Sequence, residues 1–119
     1  MIATAAETRA DTIGRLNNRC RHGLDRTARI TVTAACLAAL SDESLASRAI
    51  GQAHLLQGLR RCTFDSRDTE RSRGSFTVRD TKVYFTIDYY DTRLEWGSED
   101  PADASVTTRV VTLMLAGDL

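Results

Sequence analysis

The chain is poor in the residues that mark linkers, disordered tails and membrane spans. Of its 119 residues, one is proline and seven are glycine, which is too few for a linker or a low-complexity segment. No stretch approaches the roughly 20 apolar residues that a membrane-spanning helix needs, and residues 1–10 lack the apolar run of a secretory signal. We therefore expect a cytoplasmic protein with a single domain over residues 1–119, of which residues 1–10 can fray.

Cysteine is also scarce. Cys20, Cys36 and Cys62 are odd in number and widely spaced, and no two of them form a Cys-x-x-Cys pair. We interpret them as reduced, partly buried thiols, with metal ligation or a catalytic thiol as the alternatives. Glycine-rich phosphate loops are absent, and the isolated His22 and His54 have no partner at metal-ligand spacing. We therefore predict neither a cofactor nor a bound metal.

Lysine is nearly absent, since the cations are 15 arginines and one lysine. The formal net charge is zero, but its distribution is uneven. Residues 1–73 hold 12 arginines against eight acids, a balance of +4, and residues 74–119 hold four cations against eight acids, a balance of −4. A basic region can contact phosphates, and an acidic one can compete for a basic groove. The alternative is that both are ordinary solvated faces.

Periodicity predicts the elements of the basic region. Thr4 and Glu7 have capping-box spacing, which predicts a first helix from Thr4 to a stop at Gly23. Apolar residues alternate with threonine over residues 28–33, which predicts a strand. The small apolar residues 34–40 predict a packed connection or a short helical turn.

A second helix is predicted to begin at Ser41, with acids in its first turn, and to end at Arg60 and Arg61. Gly51 and Gly58 weaken this helix, and one use for such glycines is close approach to a neighbouring strand. The polar residues 65–74 that follow predict a loop.

The acidic region predicts a hairpin and a final helix. Residues 75–78 and 82–89 alternate as two strands around a turn, and residues 94–96 would return as a third. Asp100-Pro101 is typical of a helix start, so we predict a helix over 101–116, although the β-branched run 106–112 also fits a strand. The predicted fold is α+β: a mostly antiparallel four-stranded sheet with about three helices packed on one face.

Three motifs in the last third of the chain resemble a known family. They are Ile87-Asp88-Tyr89-Tyr90-Asp91, Gly97-Ser98-Glu99-Asp100-Pro101-Ala102-Asp103 and Thr107-Thr108-Arg109-Val110. Together they resemble an uncharacterised bacterial domain of unknown function that is common on proteobacterial plasmids and prophages. The resemblance implies a shared fold and a mobile-element context, but it implies no activity.

The resemblance weakens in the segment before the first hairpin strand. Members of the family usually have Asn-Asp-Pro, Glu-His-Asp and Phe-Gly there. Residues 66–75 of this chain keep Asp68, Glu70 and Gly74 but contain neither histidine nor proline. If that segment is an active site in the family, this chain has lost it.

The densest charge cluster is acidic and runs from residue 88 to residue 103, with Arg93 as its one cation. Aromatic side chains beside such acids are good interface anchors, because they bury a large area at a small cost in entropy. We predict a partner-binding surface that consists of Asp88, Tyr90, Asp91, Arg93, Glu95, Trp96 and Glu99. Tyr84 would extend its aromatic patch along the outer sheet face. The alternative is that the aspartates form turns and caps on a solvated face.

Two other interpretations use different residues. Asp88 and Asp91, near a strand end, would hold Mg²⁺ in a metal-dependent nuclease-like enzyme. A nucleic-acid-binding regulator would instead use a basic stretch formed by Arg15, Arg19, Arg21, Arg26 and Arg29.

Neither a complete catalytic set nor a nucleic-acid recognition motif is evident, so we favour binding over chemistry. We predict a non-enzymatic module from a mobile element that binds a protein or ribonucleoprotein complex of the host. The specific hypothesis is an anti-CRISPR-like inhibitor of a host defence complex, which presents carboxylates where a nucleic-acid backbone would lie.

Overall fold

This computed structural model describes residues 7–119 of the chain. Within that range the chain forms three helices and four strands. In chain order they are α1 (Arg9–Arg21), β1 (Arg29–Val32), α2 (Ala34–Leu40), α3 (Leu45–Arg61), β2 (Arg73–Val78), β3 (Thr81–Tyr90) and β4 (Thr108–Met114). Short 3-10 turns at Ala104–Val106 and Ala116–Asp118 flank β4. The sheet order is β1-β4-β3-β2. Strand β1 pairs parallel with β4, and the other neighbours pair antiparallel. The predicted α+β class is therefore confirmed.

Strands β2 and β3 form the predicted hairpin. Its turn, Arg79-Asp80, has φ angles of +46° and +66°, the left-handed values that let a two-residue turn follow the twist of its strands. Side chains alternate between the two faces of a strand. On one face of β3, Val83, Phe85 and Ile87 are buried and Tyr89 is half-buried.

The core lies between that face of the sheet and the three helices. Cys20 of α1, Cys36 of α2 and Leu55 of α3 belong to one buried cluster with the inner residues of β3 and β4. Because each helix contributes to this cluster, all three lie on the same side of the sheet, as predicted. The other side displays alternate residues of β3, namely Tyr84, Thr86, Asp88 and Tyr90.

The last long element is the main departure from the sequence prediction. Residues 101–116 do not form a helix but contain β4, which lies between β1 and β3 and pairs with both. Asp100 and Asp103 do accept backbone N–H groups, as caps do, but they close short turns. A β-branched run suits a buried strand, and pairing on both edges outweighs a local capping signal.

Helix α1 begins later than the sequence suggests. Its N-cap is Thr8, whose side chain accepts the backbone N–H of Asp11, and the Asp11 carboxylate accepts the N–H of Thr8 in return. Thr4, the predicted start, lies outside the described residues. Gly23 follows the helix with φ +75°, so it is the predicted stop.

Helix α3 also begins later, at Leu45, with Ser44 as its N-cap instead of Ser41. Asp42 accepts the backbone N–H of Ser44 in a tight turn, and this turn separates α3 from the short helix α2. Gly58 makes the close approach to a strand that its position predicts, since a Cβ there would lie 2.3 Å from the Phe76 ring.

Candidate interaction surface

After β3 the chain makes a short excursion, residues 91–96, which we call the 91–96 turn. Two backbone hydrogen bonds close it: Asp91 N–H donates to Trp96 O at 2.8 Å, and Ser98 N–H donates to Tyr89 O at 3.0 Å. A single bridge joins Tyr90 to Gly97. The predicted third strand at residues 94–96 is therefore wrong. Leu94 has φ +60°, which breaks the extended backbone that a strand requires.

The Asp91 carboxylate organises this turn from inside. Its Oδ1 atom accepts the backbone N–H groups of Arg93 at 3.1 Å and of Glu95 at 3.0 Å. Such bonds satisfy turn amides that would otherwise depend on water. Asp91, predicted as a contact residue, is thus first of all the residue that gives the turn its shape.

Trp96 is the most exposed large aromatic side chain of this surface, with 73% of its area open to solvent. It lines a shallow cleft of about 350 Å³ together with Asp91, Glu99 and Val106. Tyr90 lies at the same end of the sheet. Tyr84 does not, because it is six residues back along β3, about 20 Å away.

The acids around the turn have different roles. Asp88, Glu95 and Glu99 are exposed and have no ion-pair partner within residues 7–119. Asp100 instead pairs with Arg9 of α1. Its hydrogen bond with Arg9, and then the backbone N–H of Ala102, hold the pKa of the Asp100 carboxyl below its usual range.

Two residues of the predicted basic stretch also reach this end of the sheet. Arg29, the first residue of β1, and Arg26, three residues before it, line a groove of about 500 Å³ with Thr92, Leu94 and Ser105. Thr92 and Ser105 line both grooves. The surface therefore has an acidic, aromatic side and a basic side, although its two halves are more than 60 residues apart in sequence.

A buried polar network that the sequence analysis missed holds the scaffold beneath this surface. Arg109 on β4 is 1% exposed. Its Nε donates to Asn17 Oδ1 at 2.7 Å, an Nη donates to Pro101 O at 2.6 Å, and the guanidinium lies 5.0 Å from the centre of the Tyr89 ring. Asn17 Nδ2 in turn donates to the Tyr89 hydroxyl at 2.8 Å and to Glu70 O at 2.9 Å. The one feature of the sequence that pointed to this network was the position of Arg109 in the Thr-Thr-Arg-Val motif.

Comparison with known proteins identifies a family. Residues 34–118 match the family described as "Protein of unknown function (DUF3768)". The chain belongs to the DUF3768 family. The match covers well over half of the chain, including α2, α3 and the three strands that follow β1. No curated protein and no solved structure matches this DUF3768 protein.

The basic stretch of the DUF3768 protein does not form one continuous surface. Arg21 is 4% exposed and lies with its guanidinium 4.5 Å from the centre of the Phe64 ring, so it is not available to a phosphate backbone. Arg15 pairs with Glu7 through Nε at 3.1 Å. Arg19, Arg26 and Arg29 are exposed. Arg21 therefore cannot belong to a binding site formed by this stretch, because it lies on the inward face of α1.

The paired-carboxylate interpretation also meets a geometric obstacle. Asp88 and Asp91 lie near the end of β3 as predicted, but the Asp91 carboxylate already accepts two backbone amides. Among residues 7–119, no group of three or more His, Cys, Asp or Glu residues is placed to hold a metal ion.

In the same part of the chain, no helix has the length and apolar character to cross a membrane.

All three cysteines are unpaired, as the sequence predicts. Burial raises the pKa of Cys20 to about 11 and also raises the pKa values of Cys36 and Cys62. Because the thiolate is the reactive form, these cysteines are poor nucleophiles at neutral pH.

Proposed function

We propose that this DUF3768 protein is a non-enzymatic binding module whose contact surface is the 91–96 turn and its flanking acids. The observation that carries the proposal is the exposure of Trp96 on a turn that backbone hydrogen bonds and the Asp91 carboxylate hold in one shape. A rigid, exposed indole is a typical anchor of protein interfaces, since it loses little conformational freedom when a partner buries it.

The chemistry of the surface favours a partner with a basic groove. Glu95 and Glu99 flank Trp96 and have carboxylates that are free to meet arginine or lysine side chains. A groove that binds nucleic acid has such side chains in place for phosphates, so this surface can compete with nucleic acid for it. Arg26 and Arg29, at the basic side, would meet acidic residues at the rim of the same partner.

The biological form of this proposal is an anti-defence role. The resemblance to a family common on plasmids and prophages supports a protein that protects a mobile element in its host. A nucleic-acid-binding defence complex in the cytoplasm has the basic groove that the surface requires. We therefore propose an inhibitor of such a complex, anti-CRISPR-like in its mode of action.

The test begins with affinity capture from host lysate by the tagged protein and by two pairs of variants. Trp96→Ala is matched by Leu45→Ala, which removes an apolar side chain that is 83% exposed at the start of α3. Glu95→Lys with Glu99→Lys is matched by Glu43→Lys, which reverses an exposed charge far from the turn in sequence. Asp91 stays unchanged because its removal would disturb the turn itself.

A captured complex supports the proposal only if both turn variants lose it and both controls retain it. The complex is then purified, and binding of nucleic acid to it is measured with and without the wild-type protein. We expect the wild-type protein to displace nucleic acid and the Trp96→Ala variant not to do so. Capture that survives both turn variants, or a ternary complex with nucleic acid, contradicts the proposal.

The groove lined by Arg26 and Arg29 favours a second candidate, a nucleic-acid-binding regulator. This candidate predicts retention of DNA that weakens steeply with salt, because released counterions drive phosphate binding. Replacement of both arginines by glutamate should abolish retention. DNA binding that survives this double variant, or none by the wild-type protein at low salt, removes the second candidate.

A further inference from the structure

Two arginine nitrogens are buried without an acceptor. Within residues 7–119, the Nε atoms of Arg21 and Arg71 are the side-chain polar atoms that have neither solvent contact nor a hydrogen-bond partner. A buried donor that has given up water without a replacement destabilises the fold, so native proteins rarely keep one. Protein atoms cover both Nε atoms, whereas the Nη atoms of Arg71 are not buried in this way and can meet a ligand.

Arg21 is fixed in place from three sides. One Nη donates to Leu59 O at 3.4 Å, the other donates to Asn18 Oδ1, and the guanidinium packs on the Phe64 ring. Burial lowers the pKa of Arg21, Cys62 opposes that shift, and the positive charge of Arg71 adds to it.

Arg71 is held by its backbone and not by its guanidinium. Its N–H donates to Asp68 Oδ1 at 3.0 Å, and its φ is +56°, a left-handed value that a residue of this type rarely adopts. No hydrogen bond to its guanidinium is formed by any group within residues 7–119. The chain thus holds a strained backbone at Arg71 and leaves the cationic head without a partner.

A cleft of about 240 Å³ between α1 and the loop of residues 66–71 lies at this place, lined by Arg15, Asn18, Ser66, Asp68, Thr69 and Arg71 among others. The two walls are held together tightly. A Cβ at Gly14 of α1 would lie 2.0 Å from Thr69 O, and Asn17 Nδ2 donates to Glu70 O. Asn18, which accepts from Arg21, lines the same cleft as Arg71.

We propose that this cleft binds a small monocarboxylate that also has a hydroxyl or amino group. The guanidinium of Arg71 supplies the planar pair of donors that a carboxylate accepts, and Ser66 and Asn18 supply further polar groups. Asp11 and Asp68 also line the cleft. Each already accepts a backbone N–H and has lone pairs left for a ligand hydroxyl or amine. Their charge disfavours a dianion such as hydrogen phosphate.

The proposal is tested by NMR on the ¹⁵N-labelled full chain, through the Nε–H signals of Arg21 and Arg71. Lactate is titrated at constant ionic strength, with chloride and inorganic phosphate as comparisons. We expect lactate to shift the Arg71 signal with saturation and the Arg21 signal less, since Arg21 does not line the cleft. Phosphate should bind more weakly, and chloride should have no saturable effect. Non-saturating shifts with lactate, or tighter binding of phosphate than of lactate, would overturn the proposal.

Three variants assign the site. Arg71→Gln and Arg71→Lys should each weaken lactate binding at least tenfold, the second because an ammonium lacks the paired donors of guanidinium. Arg67→Gln is the matched control on the same loop, since the Arg67 side chain is 90% exposed and pairs with Asp65. It should bind lactate as the wild type does.

A further variant protects the test against misfolding at Arg71. Ser66→Asp changes an exposed loop residue and adds a carboxylate to the cleft wall, so it should abolish lactate binding by charge while the amide spectrum stays dispersed. Wild-type affinity in Ser66→Asp or in a folded Arg71→Gln would overturn the assignment of the site to this cleft.

Discussion

Arg109 and Trp96 lie near the same end of the sheet in opposite environments. The arginine is 1% exposed inside a network with Asn17 and Tyr89, whereas the indole is 73% exposed on the 91–96 turn. Charged side chains are usually outside and large aromatic ones are mostly covered. The difference shows that the two regions have separate roles. A buried polar network joins α1, β3 and β4 into a scaffold, and that scaffold holds the turn on which the Trp96 indole is exposed.

Removal of Arg109 should lower the stability of the scaffold more than any other change proposed below. Arg109→Ala leaves Asn17 Oδ1 and Pro101 O without a donor and opens a cavity, so the free energy of unfolding should fall by about 3–5 kcal/mol. Urea denaturation measures this change. Arg93→Ala is the control, because Arg93 is exposed and its loss should cost less than about 0.5 kcal/mol. A loss below about 1 kcal/mol in Arg109→Ala would show that the network does not hold the scaffold.

Cys20, buried beside this network, should make stability fall at alkaline pH. The folded state raises the thiol pKa from 9.0 to about 11, so the unfolded chain releases the proton first. Stability is therefore complete below about pH 9 and declines as pH rises towards 11, by about 2–3 kcal/mol for a shift of this size. Denaturation series at several pH values measure it. Cys20→Ala should reduce the decline over this interval, while the raised pKa values of Cys36 and Cys62 keep part of it. An unchanged profile contradicts the assignment to Cys20.

Asp91 connects the two regions, and its loss should affect both moderately. Asp91→Ala removes the acceptor of two turn amides, which should lower the free energy of unfolding by about 1 kcal/mol. Because the turn loses its shape, partner capture should also weaken, although Asp91 itself need not touch the partner. Asp88→Ala, on the strand before it, is the control for loss of charge alone. Stronger loss of capture in Asp88→Ala than in Asp91→Ala would contradict a shaping role.

Trp96 should give the smallest change in stability and the largest in binding. Trp96→Ala removes an exposed side chain, so the free energy of unfolding should change by less than about 0.5 kcal/mol. Capture of the partner should meanwhile fall by at least about tenfold. Thermal or urea unfolding of the variant, measured beside its capture assay, separates the two effects. A stability loss of more than about 2 kcal/mol would mean that the indole is part of the scaffold.

The sequence was enough to predict which acids and aromatics lie together on the candidate surface. It was not enough to predict the hydrogen bonds that shape the turn or the residues that neighbour it. The acids and aromatics of residues 88–99 stand out as a cluster in the sequence, and they do lie together at one end of the sheet. That they bind a partner stays a prediction. Sequence did not reveal that the Asp91 carboxylate is engaged inside the turn, because turn-forming and surface aspartates look alike. It also could not place Arg26 and Arg29 beside the turn, since the parallel pairing of β1 with β4 brings them there.

By itself, the sequence determined the elements whose signals are local. Alternation on either side of Arg79-Asp80 specified the β2–β3 hairpin, and a glycine stopped α1. Only the tertiary structure decided that residues 108–114 form a strand and that Arg109 is buried. A central strand is stabilised by partners on both edges that are distant in sequence, and those partners outweigh a nearby cap. An arginine can likewise be buried only where distant groups, here Asn17 and Pro101, supply the acceptors that water would have provided.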